Sequence, residues 1–119
     1  MPKKENPFTG RWRITDMELW DADAFDLMGP AHIEFGPEGA GRLQFIAVQA
    51  DLDCRLSERD GLPLVEFSWE GDDDGEHTCG RGWATLIESD HLDGRIYIHH
   101  GDDSSFAAKR EPSKVGNRK

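Results

Sequence analysis

Two places in this chain carry side chains that could do chemistry. The first is Arg81, two residues from Trp83 and in the same alternating phase as Thr85 and Ile87. An arginine that shares an inward face with a tryptophan needs an anion, because burying an unpaired charge is costly. A ligand carboxylate held bidentately would serve, and so would an internal Glu or Asp. The opposite phase, Gly80, Gly82, Ala84 and Leu86, is equally able to form an inner face, and Arg81 then points outward. The second place is His99-His100-Gly101-Asp102-Asp103-Ser104-Ser105-Phe106, the densest polar cluster. Adjacent strand residues face opposite ways, so His99 and His100 do not easily share one metal. His100 and Asp102 could, but two ligands fall short of a zinc site. Gly101-Asp102-Asp103-Ser104 also reads as a turn whose side chains bond its own backbone.

Other signatures fail on spacing. Asp72-Asp73-Asp74-Gly75-Glu76 lacks the alternating ligands and bidentate Glu of a calcium loop and reads as an exposed acidic loop. The sequence contains no nucleophile elbow, phosphate loop or dinucleotide fingerprint. No catalytic residue, metal or cofactor is implied.

Positioning these groups falls to a run of short alternating stretches. Four Trp, six Phe and one Tyr are punctuated by thirteen Gly and six Pro over 119 residues. Turn signals at such short intervals favour an all-β domain. Phe8–Trp20 reads as a long first strand in which one bulge would bring Trp12, Ile14, Met17 and Leu19 to one face. Asp21–Pro30 reads as a short helix, with Asp21 as N-cap and Phe25, Leu27 and Met28 docking it onto the sheet. Further strands are expected at 31–36, 42–50, 51–58, 64–70, 78–89, 92–100 and 104–110. Strand five alternates most cleanly, with Val65, Phe67 and Trp69 against Leu64, Glu66, Ser68 and Glu70. Eight strands joined mostly by hairpins make an antiparallel up-and-down barrel, whose interior is just wide enough to be filled or to hold one small ligand. Residues 1–7 form an N-terminal arm and 111–119 a basic C-terminal tail.

Charge is segregated along the chain. The net charge is −10, and residues 14–108 hold 22 acidic against 5 basic side chains, while the two ends hold 9 basic against 2 acidic. So acidic a body repels phosphate backbones, which argues against nucleic acid as a partner. It is suited to solubility or to a basic protein partner. No stretch approaches the ~20 apolar residues of a membrane span. The lysines near Met1 are not followed by an apolar run, and Cys54 and Cys79 are too few for a disulfide framework. A cytoplasmic location is the expectation.

The Gly10-Arg11-Trp12 that opens the first strand resembles the Gly-x-Trp signature of lipocalins and related calycins. Eight strands with a covering segment after the first look like that superfamily too. The resemblance implies that a basic residue of the last strand, Arg110 or Lys109 in the alternative phase, lies across Trp12 at the closed end. The chain departs from lipocalins in its length and lacks the helix pair that lids intracellular fatty-acid-binding proteins. It also looks like a small bacterial domain of a kind for which the resemblance implies no activity.

The expected function is therefore a non-catalytic binding domain that holds a small anionic or amphipathic ligand in the barrel. Arg81, Trp83, Trp69 and His100 are the candidate contacts, and Trp12 with Arg110 the structural pair. A protein-interaction module using the acidic surface is the alternative, and a small enzyme at the His99–Ser105 rim a weaker one.

Overall fold

A computed structural model describes residues 6–36 and 38–111. The expected arm and tail lie largely outside these residues. Eight strands form one closed barrel in sequence order: β1 (Gly10–Met17), β2 (His32–Phe35), β3 (Ala40–Phe45), β4 (Val48–Arg59), β5 (Leu62–Asp73), β6 (Glu76–Glu88), β7 (His91–Ile98) and β8 (Asp103–Arg110). Every neighbouring pair is antiparallel, and β1 closes on β8. A single short helix, α1 (Ala22–Phe25), follows β1. The all-β meander barrel read from the alternation is the observed fold.

The bulge expected in the first strand is present. The β1–β8 register shifts between Ile14 and Asp16, which turns Met17 to the same face as Trp12 and Ile14. All three are buried, whereas Leu19 lies beyond the strand and is exposed. The helix is shorter than expected. Asp21 caps it by accepting the Ala24 N–H at 3.2 Å, and only Phe25 docks. Leu27 is 64% exposed and Met28 is also exposed, because the helix has ended and its apolar periodicity with it.

Two turns differ from the expectation. A strand over 42–50 does not exist: the chain reverses at Ile46-Ala47, where no glycine, proline or asparagine announces it. Ile46 adopts φ 55°, an unfavourable region for a β-branched residue. Its N–H donates to the Phe25 carbonyl at 2.9 Å, so α1 helps to hold the turn. Residues 71–77 are not an open loop. β5 and β6 continue to a two-residue turn at Asp74-Gly75, with φ 55° and 91°, as Asp-Gly favours in a hairpin. Asp60-Gly61 makes the same kind of turn at the other end of β5.

The interior is filled. Phe8, Phe35 and Phe67 form one chain of ring contacts, and Trp20, Phe45 and Trp69 another, with centroids 5.8–6.3 Å apart. Val65, Phe67 and Trp69 are buried while Glu66 and Ser68 are exposed, as strand five implied. Leu52 is buried two positions before Cys54, which is half-buried, and Leu56 is 52% exposed. The apolar phase of β4 thus loses its cover toward Arg59.

Trp12 lies fully buried at the end of the barrel formed by Phe8, the start of β1 and the β6–β7 turn. The Arg110 guanidinium sits over its indole at 4.2 Å from the ring centroid. Arg110 also donates from Nη2 to the Pro7 carbonyl (2.9 Å), from Nη1 to Thr9 (3.0 Å) and from Nε to Ser89 (3.2 Å). Trp12 Nε1 donates to the Phe8 carbonyl at 2.8 Å. One cation therefore ties the approach to β1, the end of β8 and the β6–β7 turn together.

Candidate functional site

The phase of β6 resolves where Arg81 points. Gly82 and Ala84 are buried on the inner face, and Arg81 is exposed on the outer one. The reason is steric. A Cβ at Gly82 would stand 2.6 Å from the Phe67 ring, and one at Gly80 2.7 Å from the Trp69 ring. The Phe67 and Trp69 rings take up the inner side of β6 that the glycines leave open. The expectation that Arg81 and Trp83 line the interior is therefore corrected: both stand outside. Trp69 does point inward, but it is only 2% exposed. It packs edge-on to Phe45, and its Nε1 donates to the Arg81 carbonyl at 3.3 Å, so its ring belongs to the core, and Trp69 also borders the outer groove described next.

A broad recess lies on the outer surface. An open groove of about 950 Å³ crosses the outer face of β4–β7. The sheet register builds it in rows: Asp53, Ser68, Arg81 and Tyr97 are direct cross-strand partners in turn. Asp51 and Glu70 form the next row, which continues to Cys79 and, through the His99 N–H to Cys79 carbonyl bond of 2.8 Å, to His99. A second recess of about 500 Å³ shares the Asp53–Ser68–Arg81–Tyr97 row and runs the other way, to Arg55, Arg59 and Trp83. Arg81 stands where the two meet.

The electrostatics set Arg81 and Arg59 apart from the other arginines of the acidic body. Four of the five basic residues in the acidic body, Arg55, Arg59, Arg81 and Arg95, lie on β4, β6 and β7. Arg95 is neutralised by Asp103 at 2.8 Å and Glu18 at 3.3 Å, and the hydrogen bond it donates to Asp103 raises its already high pKa. Arg55 reaches Asp53 only at 3.8 Å. Arg59 lies over the Trp83 ring at 4.8 Å. Arg81 makes no ion pair among the described residues.

His100 does reach the groove. It sits in the β7–β8 turn at φ 62°, exposed, with its ring 4.1 Å from that of His99. The rest of the polar rim is dispersed. Ser104 is fully buried, accepts the Leu19 N–H at 3.1 Å and donates to the Ser105 carbonyl. Asp103 is taken by Arg95, and the turn is closed by backbone bonds between Ile98, Gly101 and Asp102 rather than by its side chains. Among the described residues no three His, Cys, Asp or Glu side chains gather as a metal site. Cys54 and Cys79 are unbridged, and burial, with a smaller effect of Asp53, pushes the Cys54 thiol up to about 11. No described helix is long and apolar enough to cross a membrane.

Tyr97, Arg59, Ser68 and the carboxylates of β4 and β5 were not singled out by sequence. Their strands were legible, but partnership across strands depends on register, which alternation along one strand does not carry.

Together these features define a meander barrel with a solid interior and a charged, aromatic groove on its outside. No protein-family model matches the chain, and neither a curated protein nor a solved structure matches it.

Proposed function

We propose that the chain is a non-catalytic binding domain whose site is the outer groove of β4–β7, with an anionic group of the ligand held by Arg81. The observation that carries this reading is an exposed guanidinium without an ion-pair partner among the described residues, at the junction of two recesses, in a body with 22 acidic and 5 basic side chains. A free arginine among so many carboxylates offers a local positive site and a planar fork suited to a carboxylate or phosphate. Kinship with the calycins belongs to the same proposal, supported by the Trp12–Arg110 contact and the closed eight-strand meander. A cytoplasmic location also belongs to it, supported by two unbridged thiols.

The test is chemical-shift mapping with cyclohexanecarboxylate and its neutral counterpart cyclohexylmethanol. The acid should move the amides of Ser68, Arg81 and Tyr97, and the alcohol should not. Arg81→Met should abolish the response with the fold unchanged, because the residue is exposed. Shifts confined to inward residues such as Ile33 and Leu43, or a response that survives in Arg81→Met, would refute the reading.

A second reading has its own support. Asp51, Asp53 and Glu70 line the β4–β5 side of the groove, which suits a basic protein segment. Binding of an oligolysine peptide that shifts Asp51 and Glu70 amides and ignores Arg81→Met would favour it.

A further inference from the structure

Resting on the anion-binding reading above, we infer that the ligand is a planar aromatic anion, its ring on the outer face of Trp83 and its charge on Arg81. Trp83 is half-buried on the outside of β6, two residues from Arg81 on the same face. Same-face neighbours two positions apart on a strand stand about 6.5–7 Å apart. One bound molecule lying along β6 can therefore touch both side chains.

The groups around Trp83 complete the set. Arg59, from the end of β4, lies over the indole at 4.8 Å and makes no ion pair among the described residues. It can leave the ring to a ligand, or close over the ligand as a second plane. Tyr97 is the direct cross-strand partner of Arg81, so Arg81 adjoins two aromatics, Trp83 along β6 and Tyr97 across on β7. A half-buried tryptophan and an exposed tyrosine beside guanidinium groups favour flat, electron-rich anions over aliphatic ones, because stacking adds to the charge contact. The direct partners of Trp83 and Arg81 on β5 are Glu66 and Ser68. At the Trp83 position Glu66 works against a second negative charge, while Arg59 over the ring offsets it. The overall charge of −10 works against polyanions in the same sense.

The experiment compares 2-naphthoate with cyclohexanecarboxylate on the full chain, reading the Trp83 indole N–H resonance, assigned by its loss in Trp83→Phe. 2-Naphthoate should bind at least about tenfold more tightly and shift that resonance strongly, since stacking on an aromatic side chain is worth such a factor. Arg81→Met should remove binding of both acids, while Arg59→Gln, a surface change, should alter only the preference between them. Equal affinity for the two acids with Arg81 still required would overturn this inference and leave the anion-binding function standing. Failure of both acids to bind would overturn both. Tight 2-naphthoate binding that shifts the Trp20 indole instead of Trp83 would place the ligand at the helix end and overturn both as well.

Discussion

At the scale of single residues, the same side chain type does opposite work in two places. Arg110 is consumed by structure: its guanidinium covers Trp12 and holds three carbonyls. Arg81 is left over by structure. Arg110→Ala should therefore lower stability by about 1–2 kcal/mol, through the lost cation–π contact and carbonyl bonds, and shift the urea midpoint without changing the circular dichroism. An unchanged midpoint would show that the latch is ornamental. Gly82 makes the complementary prediction. A methyl there meets the Phe67 ring, so Gly82→Ala should destabilise by about 1–3 kcal/mol through overpacking. A neutral Gly82→Ala would mean that the interior has slack and could admit a ligand after all. Trp12 and Arg110 were legible because a short motif and a basic last strand announced them. Arg81 was legible as a residue of interest but not as to direction, because both phases of β6 are plausible inner faces until Phe67 and Trp69 claim the glycine side.

At the scale of elements, the segment between β1 and β2 depends on one ion pair. Arg13 donates from Nη1 and Nη2 to the two carboxylate oxygens of Asp26 at 2.8 and 2.7 Å, and Asp26 also accepts the Ala31 N–H at 2.8 Å. Hydrogen bonding from Arg13 holds the Asp26 carboxyl below its usual range, against the opposing effect of burial. A carboxyl depressed in the folded state stabilises fully above its unfolded pKa, near 4, and loses that stabilisation as the pH falls through the lower folded value. Wild-type protein should thus lose stability on acidification below about pH 4 more steeply than Asp26→Asn, which should already be less stable at pH 7. Parallel acid curves for the two proteins would remove the clasp from the account. This segment explains a failure of sequence reading as well. Its apolar residues suggested a docked helix, yet only Phe25 is anchored, and its carbonyl fixes the Ile46 turn that no local residue signals. The hairpin at Asp74-Gly75 failed differently: its turn pair was present in the sequence, and the surrounding acidic run obscured it.

At the scale of the whole molecule, closure converts a charge pattern along the chain into one in space. β1 and β8 pair, so Arg11, Arg13, Lys109 and Arg110 from the two ends lie on adjacent strands, on one seam of an otherwise acidic barrel. Closure also removes free sheet edges. Amides bonded across the β1–β8 seam should exchange with solvent as slowly as those at the centre of β5, since opening either requires breaking the barrel. Much faster exchange confined to β1 and β8 would indicate a sheet that opens at this seam. The Trp12–Arg110 latch was an implication of the calycin resemblance; the sequence by itself determined most of the strands, their near-regular alternation and the meander order. Those follow from local periodicity and turn chemistry, which act within a few residues. Only the tertiary structure decided which face of β6 is inside, that the interior is solid, and that Asp53, Ser68, Arg81 and Tyr97 form one row. Those depend on register and on competition between side chains for one volume, and the residues that settle them are far apart in the chain.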